Sequence, residues 1–264
     1  MTKYNLCILL PTVSSVRCRN TLNQLKQFLI TNKYQIGIHI YSQGFEVKLE
    51  EEYDITTISS DTNVGTMNAN SVVRTTAPDA EYYMYIDDDF IFHPGFESDL
   101  TDVLSRLDAF KIKATSLISS VTGGKSYKFD TTKTFFREAR INEIPFLRKE
   151  SGIILHNSVF TKEHILTAYG EDNAKLTHAY LDGHDVYLAF VKITHMNNQN
   201  EDDSWNTLSS EIFEDDNKNL RRNFYGKQFF MKYGYMDSNQ RLTPVAIEIH
   251  KYNKMRLEIK NGRT

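Results

Sequence analysis

Three consecutive carboxylates, Asp87-Asp88-Asp89, follow the apolar run Tyr82-Tyr83-Met84-Tyr85-Ile86 and precede Phe90-Ile91-Phe92. Adjacent carboxylates repel one another, and a hard divalent cation that takes their oxygens as ligands offsets the repulsion. Mg²⁺ or Mn²⁺ held by one or two of them, with phosphate oxygens and water completing the shell, is the chemistry this pattern fits. A solvated acidic turn has the same composition, but the apolar residues on both sides favour a site anchored to the interior. A second feature is charge. Residues 218–264 carry eleven basic and three acidic residues, a net +8, which leaves −11 on the rest of the chain. Phe224, Tyr225, Phe229, Phe230, Tyr233, Tyr235 and Tyr252 are interleaved with those cations. Cations between flat rings suit an anionic partner such as nucleic acid. The same stretch also fits a solvated region whose rings pack on the core.

The aspartates need a rigid support, and the periodicity supplies one. Asn5 to Leu10 is a short apolar strand ending at Pro11, followed by helical spacing from Arg17 to Asn32 (Leu22, Leu25, Phe28, Leu29). Gln35 to Tyr41 alternates and reads as a strand, as does Ile55 to Ser59. Thr66 to Thr76 reads as a helix stopped by Pro78, and Glu81 to Ile86 as a strand running into the aspartates. Gly95 to Phe110 is an amphipathic helix and Ile112 to Ser119 a strand. Farther on, Lys133 to Arg140 and Gly152 to Leu155 read as strands, Thr161 to Tyr169 and Asp185 to Lys192 as helices, and Asn197 to Asp203 as a polar loop. This order predicts an α/β fold on a mostly parallel sheet, where ligands bind beyond the carboxyl ends of strands.

The composition, 40% apolar and 25% charged over 264 residues, is that of a globular chain. Two cysteines, Cys7 and Cys18, cannot build a disulfide framework, so a reducing cytoplasm is expected. The apolar run from Leu6 to Pro11 is too short to span a membrane and no signal peptide precedes it. Gly123-Gly124-Lys125 lacks the glycine spacing of a phosphate-binding loop. No linker divides the chain. The expected organisation is a nucleotide-binding and catalytic domain over 1–217, with 218–264 as a basic aromatic extension packed on it.

Several of these segments, in this order, resemble the GT-A glycosyltransferases, closest in pattern to the large family 2 type. Leu6 to Thr12 resembles the first nucleotide-binding strand. Asp61-Thr62-Asn63-Val64-Gly65-Thr66-Met67-Asn68-Ala69-Asn70 resembles the Asn-x-Gly segment and the Asn-bearing helix after it. Asp87-Asp88-Asp89 resembles the DxD motif, and Leu181-Asp182-Gly183-His184-Asp185-Val186 the later acidic motif at a helix start, usually Glu-Asp. The resemblance covers about residues 4 to 195. Two departures stand out. Tyr41-Ser42-Gln43-Gly44 has no carboxylate where the family often places one against the nucleoside, and His184 stands where Glu is usual, so only Asp185 matches.

The resemblance implies a GT-A architecture: a Rossmann-like, mostly parallel sheet with helices on both faces and extra C-terminal elements. It implies a nucleotide-sugar donor, UDP-linked in most such enzymes, with Mn²⁺ or Mg²⁺ as cofactor. Asp89 is the expected direct metal ligand, with Asp87 a ligand or a ribose contact. His195 and His250 are both candidates for a histidine ligand. Pro11, Thr12, Arg17, Asn63, Gly65, Asn68, Asp87 and Asp88 are expected around the nucleotide. Asp185 is expected to take the acceptor's proton, with Asp182 as a competitor, in a direct displacement that inverts the anomeric carbon. The expected acceptor is hydroxymethylated cytosine in phage DNA, reached through the basic C-terminal region, with a cell-surface glycan as the alternative. A metal-dependent nucleotidyl- or phosphotransferase and a non-catalytic nucleic-acid binder remain as readings from other classes.

Overall fold

The computed structural model describes residues 3–31, 33–47, 54–64, 66–121, 136–147, 152–159, 171–195 and 227–262. The first strand, β1 (Tyr4–Thr12), is flanked by α1 (Ser15–Thr31) and β2 (Ile36–Gln43). Then come β3 (Ile55–Ser60), α2 (Thr66–Thr76), β4 (Ala80–Tyr85), β5 (Phe90–Phe92), α3 (Phe96–Ala109) and β6 (Ala114–Ser119). The second half holds β7 (Phe136–Glu138), β8 (Ile153–His156), α4 (Glu171–Leu181), β9 (Val186–Val191), β10 (Ile193–His195), α5 (Lys227–Lys232) and α6 (Pro244–Lys260).

Among the described residues, eight strands form one sheet in the order β3-β2-β1-β4-β8-β6-β9-β7. β1 pairs in parallel with β2 and β4, β2 with β3, and β6 with β9. β8 runs antiparallel to both neighbours and β7 antiparallel to β9. Consequently β1, β2, β3, β4, β6 and β9 all point the same way, and their carboxyl ends share one edge. The central strands are mostly apolar because both sheet faces are covered. One face packs Leu6, Ile8 and Leu10 against α1 (Cys18, Leu22, Leu25) and α3 (Phe96, Leu100, Val103, Leu104, Leu107). The other packs Cys7, Leu9 and Tyr83 with α2 (Ala69, Val73) and α4 (Leu176, Ala179, Tyr180). Phe230 of α5 and Ala246 of α6 complete that second cluster, so the described C-terminal elements share the core. No helix among the described residues is long and apolar enough to cross a membrane.

The expected α/β fold, with helices on both faces of a largely parallel sheet, is the one observed. One element differs in kind. Asp185 to Lys192 reads as a helix in the sequence, yet Val186–Val191 is a strand paired in parallel with β6 from Ala114↔Val186 to Ser119↔Val191. Val186, Leu188, Ala189, Phe190 and Val191 are all buried. A continuous apolar run this short is equally compatible with either period, and β-branched and aromatic residues tip it toward a covered strand. The expected helix at Thr161 to Tyr169 and the loop at Asn197 to Asp203 lie outside the described residues, as do Gly123, Gly124 and Lys125.

Helix α6 is set by its start. Thr243 caps it by accepting from Ala246 N, and Pro244 at the first position lacks the N–H that would otherwise go unmet. The helix lies against the turn between α4 and β9. There Gly183 adopts φ +94°, and a Cβ on it would come within 2.4 Å of Lys254 N. Asn253 Nδ2 donates to Leu181 O at 2.8 Å beside it. Replacing Gly183 by Ala meets both the backbone strain and the clash, so we expect a loss of about 2 kcal/mol or more in urea unfolding. An unchanged midpoint would show that α6 is not seated through this glycine.

Candidate metal and nucleotide site

The aspartates sit where the sheet's carboxyl edge meets a second, two-stranded sheet. Ile86 closes β4 by donating from its N–H to Leu9 O at 3.2 Å. The chain then crosses Asp87, Asp88 and Asp89 and enters β5, which pairs antiparallel with β10. That register sets His195 opposite Phe90, with the two rings edge-on at 5.4 Å between centroids. The strand carrying His195 is fastened at several points. Lys192 N donates to Asp99 Oδ2 at 2.9 Å, and Lys192 Nζ reaches Asp99 Oδ1 at 3.2 Å. His93 N donates to Lys192 O at 2.9 Å, and the His93 ring bonds the Thr194 hydroxyl at 2.7 Å.

As a result, one ligand atom from each of Asp87, Asp89 and His195 lies within 4.8 Å of the other two. His195 Nε2 is 3.1 Å from Asp89 Oδ1. That oxygen is shielded from solvent and accepts no hydrogen bond among the described residues. A shielded carboxylate oxygen without a donor is costly unless a cation meets it. Two carboxylates and an imidazole form a donor set that suits Mn²⁺ and also accommodates Mg²⁺. The residues therefore fit a divalent ion.

Asp88 turns the other way. It is buried, with Oδ2 2.5 Å from Thr12 Oγ1 and Oδ1 3.8 Å from Arg17 Nη1. Its backbone carbonyl accepts from Thr21 Oγ1 at 2.9 Å. Thr12 and Arg17, expected at the nucleotide, are thus joined to Asp88 at the end of β1, and Ser14 N donates to Thr12 Oγ1. Pro11 lies in β1 opposite Tyr41 of β2. Asn63 follows β3 on the same edge, next to Val64, whose N–H donates to Gln43 Oε1 at 2.8 Å. Gln43 thus fills a structural role at the end of β2, where the resemblance calls for a carboxylate. Gly65 lies outside the described residues. Asn68 is in the first turn of α2, and its side chain lies outside them too.

Asp185 and His250 are elsewhere. Asp185 immediately precedes β9, at the amino edge of the sheet, and six strand residues at ~3.3 Å each separate that edge from β9's carboxyl end. Its Oδ2 is 2.5 Å from Lys254 Nζ and its Oδ1 is 3.5 Å from His250 Nε2, both on α6. His250 is itself buried, stacked on the Tyr180 ring at 3.9 Å and bonded through Nδ1 to Tyr180 O at 2.7 Å. The hydrogen bond from His250, then that from Lys254, holds the Asp185 carboxyl below the usual carboxylate range, against the effect of burial. Asp182 belongs to the same turn. The structure therefore does not bring Asp185, Asp182 or His250 to the Asp87, Asp89 and His195 cluster; Asp185 and His250 help to seat α6.

Helix α4 opens with Glu171-Asp172. Its last residue, Leu181, leads through a four-residue turn into the amino end of β9, so the helix climbs back toward the carboxyl edge going from its end to its start. Lys175 Nζ lies 3.7 Å over the ring of Tyr85, the last residue of β4 before the aspartates. The start of α4 is thus on the metal side. Glu171 stands ten residues before Leu181 and Asp172 follows it, at the first described residues of α4, and their side chains lie outside the described residues.

No protein-family model matches the chain, and no curated protein matches it. Solved structures do. The mannosyltransferase PcManGT from Pyrobaculum calidifontis, in complex with GDP-Man and Mn²⁺, superposes over 99% of this chain and 72% of its own, with a TM-score of 0.58 and 11% identity. The chain has the GT-A glycosyltransferase fold. A GT-A chain this divergent is also similar to S. aureus TarS 1–349 in complex with UDP-GlcNAc, at a TM-score of 0.50 and 14% identity over 71% of this chain and 56% of that one. A mycobacterial protein aligns over 89% of this chain and 77% of its own, at a TM-score of 0.50 and 11% identity. The chain spans less than two thirds of TarS 1–349.

Burial pushes Asp88 from 3.8 up to about 6, against the opposing pulls of Thr12 and Arg17. A folded-state value above the unfolded one means that the folded protein holds the proton longer. This contribution to stability is therefore complete below pH 4 and is lost as the pH rises past about 6. We expect metal-free wild type to lose about 3 kcal/mol relative to Asp88→Asn between pH 4 and 7 in urea titrations. A difference that does not vary with pH would refute the buried position of this carboxyl.

Proposed function

We propose that the chain is a metal-dependent glycosyltransferase that moves a sugar from a nucleoside-diphosphate sugar, UDP-linked, to an acceptor hydroxyl. The observation that carries this reading is the convergence of Asp87, Asp89 and His195 on the carboxyl edge of a GT-A sheet. Further support comes from the donors named for two structures of the same fold, GDP-Man with Mn²⁺ and UDP-GlcNAc, which share a diphosphate between nucleoside and sugar.

Asp87, Asp89 and His195 would hold the cation. When bound, it supplies positive charge to the diphosphate oxygens on which negative charge grows as the nucleotide departs. Around it, this chain's residues bind and orient. Arg17, with Thr12 and Asp88 at the end of β1, and Asn63 after β3 border the nucleotide. The proton of the attacking hydroxyl passes to a carboxylate in the first turn of α4, Asp172 or Glu171, in a single displacement that inverts the anomeric carbon. The reading favoured for the acceptor is hydroxymethylated cytosine in phage DNA. Its support is the eleven basic residues of 218–264 with aromatic rings between them.

Two outcomes are expected. Mn²⁺ with UDP should raise the melting temperature by more than the sum of their separate effects, since each completes the other's coordination. The synergy should vanish in Asp89→Ala and in His195→Ala. Equal, additive shifts in wild type would contradict the site. In a donor screen read by mass spectrometry, with hydroxymethylcytosine DNA and simple glycans offered in parallel, Asp172→Asn or Glu171→Gln should lower transfer at least 100-fold with UDP binding retained. Asp185→Asn should keep its turnover; loss of transfer in that variant with α6 still docked would return the base to Asp185.

A further inference from the structure

Asp88 stands between two metal-ligand candidates in the chain, yet its contacts run into the segment that joins β1 to α1. Its Oδ2 is 2.5 Å from Thr12 Oγ1, its Oδ1 is 3.8 Å from Arg17 Nη1, and its carbonyl accepts from Thr21 Oγ1 at 2.9 Å. Contacts at three points of one segment hold the carboxyl inward, and Asp88 is buried. It is poorly placed to touch a ligand itself. Arg17 reaches farther out: its side chain is 19% exposed, against 10% for that of Asp88.

The position of Arg17 is unusual for a helix. It lies in the first turn of α1, where Ser14 takes up helix-start donors: Cys18 N donates to Ser14 O at 2.9 Å and Arg17 N to Ser14 Oγ at 3.4 Å. The positive end of the helix dipole lies there, so a carboxylate would stabilise the helix and a cation opposes it. The first turn of α1 holds no acidic residue, and Arg19 adds a second cation two residues after Arg17. Helix stability alone would not select this arrangement. An anion arriving from solvent would be met by all of it.

The place fits such an anion. β1 and β4 are neighbours, with Leu9 paired to Tyr85, so the end of β1 and the aspartates share the carboxyl edge. At 3.8 Å the contact between Asp88 and Arg17 is electrostatic rather than a hydrogen bond. It fixes where the guanidinium sits. A guanidinium is a planar fork of donors that matches paired phosphate oxygens, whereas an uncharged base or ribose gains little from a cation.

We infer that Asp88 is a positioning residue, which does not touch the donor but aims the Arg17 guanidinium at the donor's diphosphate alongside the metal ligands. The inference rests on the nucleotide-sugar reading and narrows it. The segment from β1 into α1 recognises the phosphates through Arg17, and Asp88 acts only through that side chain.

A double-mutant cycle read by calorimetric titration with UDP and with uridine, both at saturating Mn²⁺, tests this. Arg17→Ala should weaken UDP about tenfold or more, as expected for lost hydrogen bonds to a charged group. Asp88→Asn, which keeps the side chain's volume and a hydrogen bond to Thr12, should weaken UDP at least about threefold. The double variant should fall within about twofold of Arg17→Ala alone, because the two side chains act as one unit. Uridine, which has no phosphate, should bind all of them as it binds wild type. Additive losses, an Asp88→Asn variant that binds UDP as wild type does, or an equal loss of uridine would overturn the inference and leave the donor reading in place. Wild type that binds no UDP with Mn²⁺ would overturn both.

Discussion

Two carboxylates and an imidazole brought within 4.8 Å of one another, with one carboxylate oxygen shut off from water and given no hydrogen bond, form a strained arrangement in a bare protein. Repulsion between Asp87 and Asp89 and the desolvation of Asp89 both oppose it. The fold sustains it by building rigid support on each side. β4 is buried to its last residue, and β10 is bound to β5, to Asp99 and to His93. A cation converts that cost into affinity, and whatever binds the cation gains a fixed position on the carboxyl edge of the sheet. Asp88 relieves part of the crowding. It faces inward, toward Thr12 and Arg17, and burial holds its proton to about pH 6.

The two edges of the sheet thereby divide the work. The proposed chemistry belongs to the carboxyl edge, where β1, β2, β3, β4, β6 and β9 all end. The amino edge carries structure: Asp185, His250, Lys254 and the close approach at Gly183 fasten α6 to the turn before β9. An ion pair flanked by a stacked tyrosine and histidine is what a docking contact needs, and the same carboxylate, held low by hydrogen bonds from His250 and Lys254, would be a weak proton acceptor.

The sequence made the first half of the fold readable. β1 and β4 were visible as apolar runs, α2 as a helix from Thr66 to Thr76, and α3 as an amphipathic stretch, because each agrees with local period and local stop signals. What was not readable depended on distant partners. β5 and β10 are three residues each, and nothing local tells that His195 lies across from Phe90 rather than that His250 reaches the aspartates. Val186–Val191 fits a helix or a strand equally until β6 is beside it. Its strand pairing with β6 also sets Asp185 at the amino edge, which the local sequence around Asp185 does not reveal. The inward turn of Asp88 was also hidden, since three identical residues in a row carry no mark of which one faces the core.

Electron paramagnetic resonance of Mn²⁺ bound together with UDP, on protein with natural and nitrogen-15-labelled histidine, probes the central claim most directly. The account predicts coupling of the manganese electron spin to one imidazole nitrogen, altered by the isotope and absent in His195→Ala. Bound Mn²⁺ with oxygen ligands alone, or an imidazole signal that survives His195→Ala, would contradict it.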